Sequence, residues 1–257
     1  MAATTTKPSS TPNAPFLRTL TSSRRSDRLT ALHQLRAFLS SRPASSPLSP
    51  VENLKLWKAL LYALWMQDKP LHQQNLSLEL AGLVEVVKGA EGKVRWMRAF
   101  WASMKSFWPE IDSLRVDKFL FLVRAVVGAG WAECARDSWR GDEGGFLRGW
   151  VEALGEIPLS SSDQKVGNGM RFHVLDVYLD ELEKVDAGHE APMEVLLEPV
   201  RRLREEGRDK VVRKRAGEVL GDERLGEWGV QSEVVNRKAS AAGAEDGEDA
   251  EFGGFDD

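Results

Sequence analysis

Apolar residues recur along this chain at intervals of three and four, and the recurrence marks out a succession of amphipathic helices. After a short apolar patch at Phe16, Leu17 and Leu20, a first helical face carries Leu29, Leu32, Leu35, Phe38 and Leu39, and Ser26 or Asp27 can cap it. Ser40 to Pro47, with two prolines and four serines, ends it. Ser49-Pro50-Val51-Glu52 then announces the next start: a serine cap, proline where its missing N–H costs nothing, and a glutamate placed to close a capping box. The helix that follows carries Leu54, Trp57, Leu60, Leu61, Leu64 and Trp65 and stops near Asp68-Lys69-Pro70. Leu76, Leu80, Leu83, Val84 and Val87 place another helix ending toward Gly89. Val94, Met97, Phe100, Trp101, Met104, Phe107 and Trp108 place one more, which stops at Pro109. Asp112 can cap the next, whose inner side is Val116, Phe119, Leu120, Val123 and Val127.

Past Gly128 the periodicity weakens, because Gly130, Gly141, Gly144 and Gly145 interrupt it. Short helices are predicted over 131–139 and 146–154, the second capped by Asp142. A loop follows through Ser160–Asp163 and Gly167–Gly169, and then a strong helix over 170–185 turns Val174, Leu175, Tyr178 and Leu182 inward. Segments 192–204 and 209–220 complete the ordered part. No run alternates apolar and polar residues between turn signals, so no strand is predicted. The pattern therefore defines an all-α protein of stacked antiparallel helix pairs, either a HEAT/armadillo-like solenoid or an irregular helical bundle. One domain is expected over 16–235, divided into a core over 16–185 and basic helices over 186–235. Residues 1–15 and an acidic tail over 236–257 are too polar to fold alone and are expected to be disordered.

Composition sharpens this picture at four points. Nine tryptophans against two tyrosines, mostly at helical spacing, are read first as core. The single cysteine, Cys134, excludes an internal disulfide framework and fits a reducing compartment. No stretch approaches the roughly 20 apolar residues of a membrane span, and the N-terminus lacks the apolar segment of a signal peptide, so a soluble protein is expected. The net charge of −4 conceals an asymmetry: seven acids and no base follow Gly243, which leaves 32 acids against 35 bases in the body. A mildly basic body with an acidic tail can approach RNA phosphate, yet falls short of the footprint of a dedicated RNA binder.

Catalytic signatures are absent: no GxGxxG or P-loop, no GxSxG, no HExxH. His33, His72, His173 and His189 are scattered rather than set at metal-ligand spacing, and Cys134 lacks a paired histidine. No metal, cofactor or catalytic residue is assigned. Asp112, Asp117, Asp176 and Asp180 could supply a general acid and base or a magnesium site. Arg115, Lys118 and Arg124 lie within helical reach of Asp112 or Asp117, however, and a structural ion-pair network is the better reading. Tryptophans beside basic residues invite base stacking, with Trp96, Trp139 and Trp228 the expected exposed cases, although core packing accounts for the rest. The run Arg201-Arg202-Leu203-Arg204, continued by Arg208, Lys210, Arg213, Lys214 and Arg215, can touch rRNA backbone or signal nuclear import. A solvated helix face with Glu205 and Glu206 explains it equally well.

Several separated motifs carry a family resemblance. They are Leu56-Trp57-Lys58 with Tyr62, Trp65, Met66, Asp68, Lys69 and Pro70, then Phe100-Trp101, Trp108, Ile111-Asp112, Arg115, Asp117-Lys118-Phe119 and Leu122-Val123-Arg124, and finally His173, Leu175-Asp176, Tyr178-Leu179 and Glu181-Leu182. In this order they resemble the ribosomal RNA processing protein 1 family, also called the nucleolar Nop52 family, over about residues 16–185. The resemblance implies a HEAT- or armadillo-like fold in a non-enzymatic nucleolar assembly factor of the large ribosomal subunit. That factor would act in pre-rRNA processing within the internal transcribed spacers, docked on other assembly factors and on pre-rRNA in the pre-60S particle. Where many members carry a basic C-terminal extension, this chain has acids, and residues 129–169 match loosely. Asp68, Lys69, Arg115, Lys118 and Arg124 are the candidate contacts for partners or RNA, together with Arg201, Arg202, Arg213, Lys214 and Arg215. The alternative is a helical-repeat adaptor outside ribosome biogenesis that binds a peptide in a groove. A metal-dependent hydrolase built on the aspartates is the third and weakest reading.

Overall fold

A computed structural model describes residues 19–141 and 145–230, and among them it contains ten α-helices, three 3₁₀ helices and no strand. The helices are α1 (Arg25–Ser41), α2 (Pro50–Trp65), α3 (Pro70–Ala81), α4 (Ala90–Phe107), α5 (Val116–Arg136), α6 (Phe146–Glu156), α7 (Asn168–Glu183), α8 (Met193–Leu196), α9 (Glu198–Glu206) and α10 (Lys210–Leu220). They stack in two layers. In one, α2 packs on α4, α4 on α6 and α6 on α9; in the other, α3 packs on α5, α5 on α7 and α7 on α10. Successive pairs α2–α3, α4–α5, α6–α7 and α9–α10 thus add one helix to each layer, which is the construction of an α-solenoid. The all-α expectation holds, and the solenoid describes it better than the irregular bundle. The expected terminal disorder, the Asp142 cap and the acidic tail lie outside the described residues.

Local chemistry explains most element boundaries. At the start of α2 the capping box forms as read: Glu52 N–H donates to the Ser49 hydroxyl at 3.3 Å, and Ser49 N–H donates back to the Glu52 carboxylate at 2.8 Å. Other starts differ from expectation. Neither Ser26 nor Asp27 caps α1, which begins at Arg25; instead the buried Arg28 guanidinium donates to the Ser22 and Ser23 carbonyls at 2.7 and 2.9 Å and ties down the entering chain. Asp112 does not cap α5 directly. Its carboxylate accepts from Leu114 N–H at 3.0 Å and its carbonyl accepts from Arg115 and Val116, so it shapes the turn that delivers the helix.

Two predicted boundaries move. The helix expected to run toward Gly89 stops as α3 at Ala81 and continues as a 3₁₀ turn over Gly82–Val86, where a glycine and the β-branched Val84 and Val86 weaken α-helix. Conversely, α5 runs unbroken through Gly128 and Gly130 to Arg136, where separate helices are expected. Those glycines serve packing: a Cβ at Gly130 would sit 2.3 Å from two ring atoms of Trp150, and one at Gly128 would sit 2.8 Å from a Glu181 oxygen. The helix ends because Ser138 and Trp139 take left-handed φ values of 54° and 57°, and Trp139 N–H folds back to the Cys134 carbonyl at 2.8 Å.

Aromatic side chains connect the repeats. Trp57 of α2 meets Trp96 and Phe100 of α4 at 4.9 Å between centroids. Trp101 meets Trp150 of α6 at 6.2 Å, Trp150 meets Trp131 of α5 at 5.8 Å, and Trp131 meets Tyr178 of α7 at 5.1 Å. All of these rings are fully buried, each removing roughly 150–250 Å² from water. The tryptophans therefore act as expected, as the mortar between layers. Trp96 is a correction: the fold buries it completely although Arg95 stands beside it, because its face of α4 points at α2. Trp139 and Trp228 are partly exposed.

Candidate docking edge

Part of the resemblance motifs, from Trp65 to Pro70 and from Asp112 to Lys118, meets at one end of the first two pairs, around the turn from α2 to α3 and the loop entering α5. There Lys118, from the first turns of α5, is 6% exposed and reaches no carboxylate. Its ammonium donates to the carbonyls of Trp65 at 2.7 Å and Gln67 at 3.0 Å, satisfying acceptors that the end of α2 leaves free. Burial pushes its pKa down, as does the neighbouring Arg115 cation, against the opposing pull of Asp68 and Asp112. Lys118 is thus a cross-helix cap, and its assignment to an ion-pair network with Asp117 is corrected. Being buried, it is also unavailable as a partner contact.

Arg115 pairs with Asp112 and stacks its guanidinium 4.8 Å from the Trp65 ring centroid, clamping the α5 entry onto the end of α2. Asp68 and Lys69 are exposed in the turn itself. Asp68 opposes the burial-driven lowering of two cations, Arg28 and Lys118, so its carboxylate balances charge as well as facing solvent. The same end carries apolar side chains that helical periodicity does not single out: Met66, Leu71 and Leu114 are 41, 65 and 91% exposed. Leu114 is missed because the expected Asp112 cap places it in a helical first turn, whereas the helix starts only at Val116 and leaves it in the entering loop.

Arg124 lies elsewhere, in a charge network on the second layer. It pairs with Glu181 and, at 3.2 Å, with Asp180, while Arg224 joins Asp180, Glu183 and Asp222 at 3.2, 3.0 and 2.9 Å. Asp222 is held below the usual carboxylate range chiefly by its hydrogen bonds from Arg224. The network straps α5, α7 and the 3₁₀ turn at 223–228 together. His173 reinforces it, with Nε2 2.8 Å from the Leu120 carbonyl and burial lowering its pKa.

The basic run on α9 and α10 is largely neutralised by the protein itself. Arg201 pairs with Glu194 at 2.9 Å, Arg202 with Glu198, and Arg215 with Asp176 and Glu218 at 2.6 and 2.8 Å. Lys214 lies 3.7 Å from Glu218, and Arg213 donates to the Gly207 and Arg208 carbonyls at 2.7 and 3.0 Å just past the end of α9. The structure therefore separates the ten candidate contacts. Asp68, Lys69 and Arg115 share an exposed edge, Lys118 supports it from beneath, and Arg124 and the α9–α10 residues lie apart from it, paired with carboxylates or carbonyls of the chain itself. No cluster of three or more histidine, cysteine or carboxylate side chains among the described residues could hold a metal, and no helix there is long and apolar enough to cross a membrane. Cys134 is buried, and burial beside Glu133 drives its thiol pKa well up, away from nucleophilic character.

A stacked-helix scaffold with a mixed apolar and charged edge is the class that this geometry defines. Comparison with known proteins then gives the family. The profile of the family described as nucleolar protein Nop52 matches residues 11–252, and the chain belongs to that family. Curated relatives include the human ribosomal RNA processing protein 1 homolog B, 35% identical over 172 residues that cover 66% of this chain and 22% of the human one. The ribosomal RNA processing protein 1 homolog of Caenorhabditis elegans is 31% identical over 156 residues, 61% of this chain and 38% of the worm protein. That of Dictyostelium discoideum is 28% identical over 211 residues, 76% of this chain and 42% of the amoebal protein. The matched region is thus less than half of each of these relatives.

Proposed function

We propose that this protein is a nucleolar assembly factor of the large ribosomal subunit, working as a non-catalytic helical scaffold. In this reading it binds other large-subunit assembly factors and pre-rRNA within the pre-60S particle and holds the internal transcribed spacer region for nucleases supplied in trans. It takes no small-molecule substrate and sits on no membrane. Family membership and the names of the relatives, all ribosomal RNA processing proteins, support the cellular role. The observation that carries the mechanism is the edge at Met66, Leu71 and Leu114. Large apolar side chains project into solvent beside Asp68, Lys69 and Arg115, on a backbone stiffened by the Lys118 cap. Exposed apolar side chains rimmed by charge on a preorganised support are the marks of a protein interaction site.

Depletion of the protein, followed by analysis of pre-rRNA, tests the reading. Precursors retaining internal transcribed spacer sequence should accumulate, with large-subunit particles reduced. Normal pre-rRNA together with copurification of a complex lacking rRNA would instead place the protein as an adaptor outside ribosome biogenesis.

A further inference from the structure

Away from that edge, the seam between α2 and α4 opens into a groove of about 510 Å³. Leu54, Leu61 and Tyr62 line it from α2, and Ala102, Ser103 and Ser106 line it from α4. Ser106 already donates its hydroxyl to the Ala102 carbonyl at 3.1 Å, so it asks for no polar partner. Small residues at three positions within about one turn of one helix, facing leucine and tyrosine on the other, let a third helix approach closely, at the 8–10 Å separation typical of packed helices. The equivalent seam one repeat along is shut. Arg98 of α4 bonds to Glu152 and Glu156 of α6, and Lys105 bonds to Asp163 just beyond.

Charge in the open seam is arranged with a direction. Lys58 and Glu110 both line the groove, and neither has an ion-pair partner among the described residues. Tyr62 and Trp65 of α2 lie beside Phe107 of α4 at 6.2 and 5.5 Å, while Trp57 lies beside Phe100, so the two helices run the same way. Lys58 is therefore near the middle of the groove, about level with Trp101, and Glu110 is near its end, about two and a half helical turns further along, or roughly 13 Å.

We propose that the α2–α4 groove receives an amphipathic helix of a protein partner. Its apolar stripe packs on Leu54, Tyr62 and the small α4 residues, an acidic side chain meets Lys58, and a basic one about two and a half turns away meets Glu110. This inference rests on the scaffold reading and adds the partner's chemical class and its orientation.

The test is site-specific photo-crosslinking in purified pre-ribosomal particles, with benzoylphenylalanine placed at Ser103 in the groove or, as a control, at Leu114 on the edge. The Ser103 probe should capture a peptide, identified by mass spectrometry, whose apolar residues recur every three or four positions between an acid and a base. The same peptide, synthesised and labelled, should bind the full chain about tenfold more weakly after Lys58→Glu, and acid-to-lysine exchange in the peptide should restore the affinity. Capture of rRNA or of a second copy of this chain at Ser103, or affinity indifferent to Lys58→Glu, overturns the proposal. So does silence at Ser103 while Leu114 crosslinks, which rejects the groove and leaves the scaffold reading standing. Absence of the protein from pre-ribosomal particles rejects both.

Discussion

Lys118→Met removes one ammonium and little else, because methionine retains most of the aliphatic stem that crosses from α5 to the end of α2. Two carbonyls lose a charged donor. Gln67 O keeps a second donor, the Gln73 side-chain amide at 2.8 Å, whereas among the described residues Trp65 O has no other side-chain donor. Hydrogen bonds to charged groups contribute about 1.5–3 kcal/mol, and an orphaned buried acceptor costs about 1–3 kcal/mol. Releasing the ammonium from a buried site offsets part of that loss. A net destabilisation of about 2–3 kcal/mol follows, for a domain whose whole stability is of order 5–15 kcal/mol. At about 2–4 °C per kcal/mol for a chain of this size, Tm should fall by about 4–12 °C in differential scanning calorimetry. Lys69→Met, one turn away and exposed, should move Tm by less than about 2 °C. A Lys118→Met protein that melts with the wild type would refute the cross-helix cap and return Lys118 to the list of surface contacts.

Further outcomes are expected. Ser49→Ala breaks the capping box at α2 and should cost about 1 kcal/mol in urea denaturation, with an unchanged m-value. Gly130→Ala drives a methyl into the Trp150 ring inside the aromatic chain and should cost about 1–3 kcal/mol, with loss of near-UV circular dichroism from the displaced indole. His173 has a folded pKa below its ordinary value of 6.5, so the unfolded chain binds the proton more tightly. Its contribution to stability is complete above about pH 6.5 and declines as pH falls toward the lower folded value. His173→Gln should flatten the Tm profile in that window and leave the region above pH 7 unchanged. Arg201→Ala with Arg202→Ala should lower stability slightly and barely alter the salt dependence of RNA binding, because both side chains already pair with glutamates.

These cases show which features of the chain can be read without coordinates. The Ser49–Glu52 signature works because its chemistry is local: donor and acceptor are three residues apart, and the backbone alone brings them together. Tryptophan periodicity works because burial follows from the helical face, and so the all-α class and the aromatic core are legible. Lys118 is misread for the opposite reason. Its acceptors lie 51 and 53 residues away, and the spacing visible in the sequence offers Asp117 and Asp112 instead. Gly128 and Gly130 look like helix breakers until the ring of Trp150 and the carboxylate of Glu181 are seen against them. The α9–α10 basic run looks like an RNA footprint because its partners, Asp176 and Glu194, belong to other elements. Of the candidate site, the charged turn at Asp68 and Lys69 is visible in sequence, while the apolar Leu114 that completes the edge is not, because the expected Asp112 cap assigns it to a helix that in fact begins at Val116.

The most direct test of the proposed scaffold role is to change what the protein presents without changing how it folds. Leu114→Glu combined with Leu71→Glu alters two side chains that are 91 and 65% exposed, so Tm should stay within about 2 °C of the wild type. In sucrose-gradient fractions of cell extract, the double variant should leave the large-subunit precursor peak and appear with free protein near the top. A variant that folds normally and still co-sediments fully with the precursor particles would contradict the account.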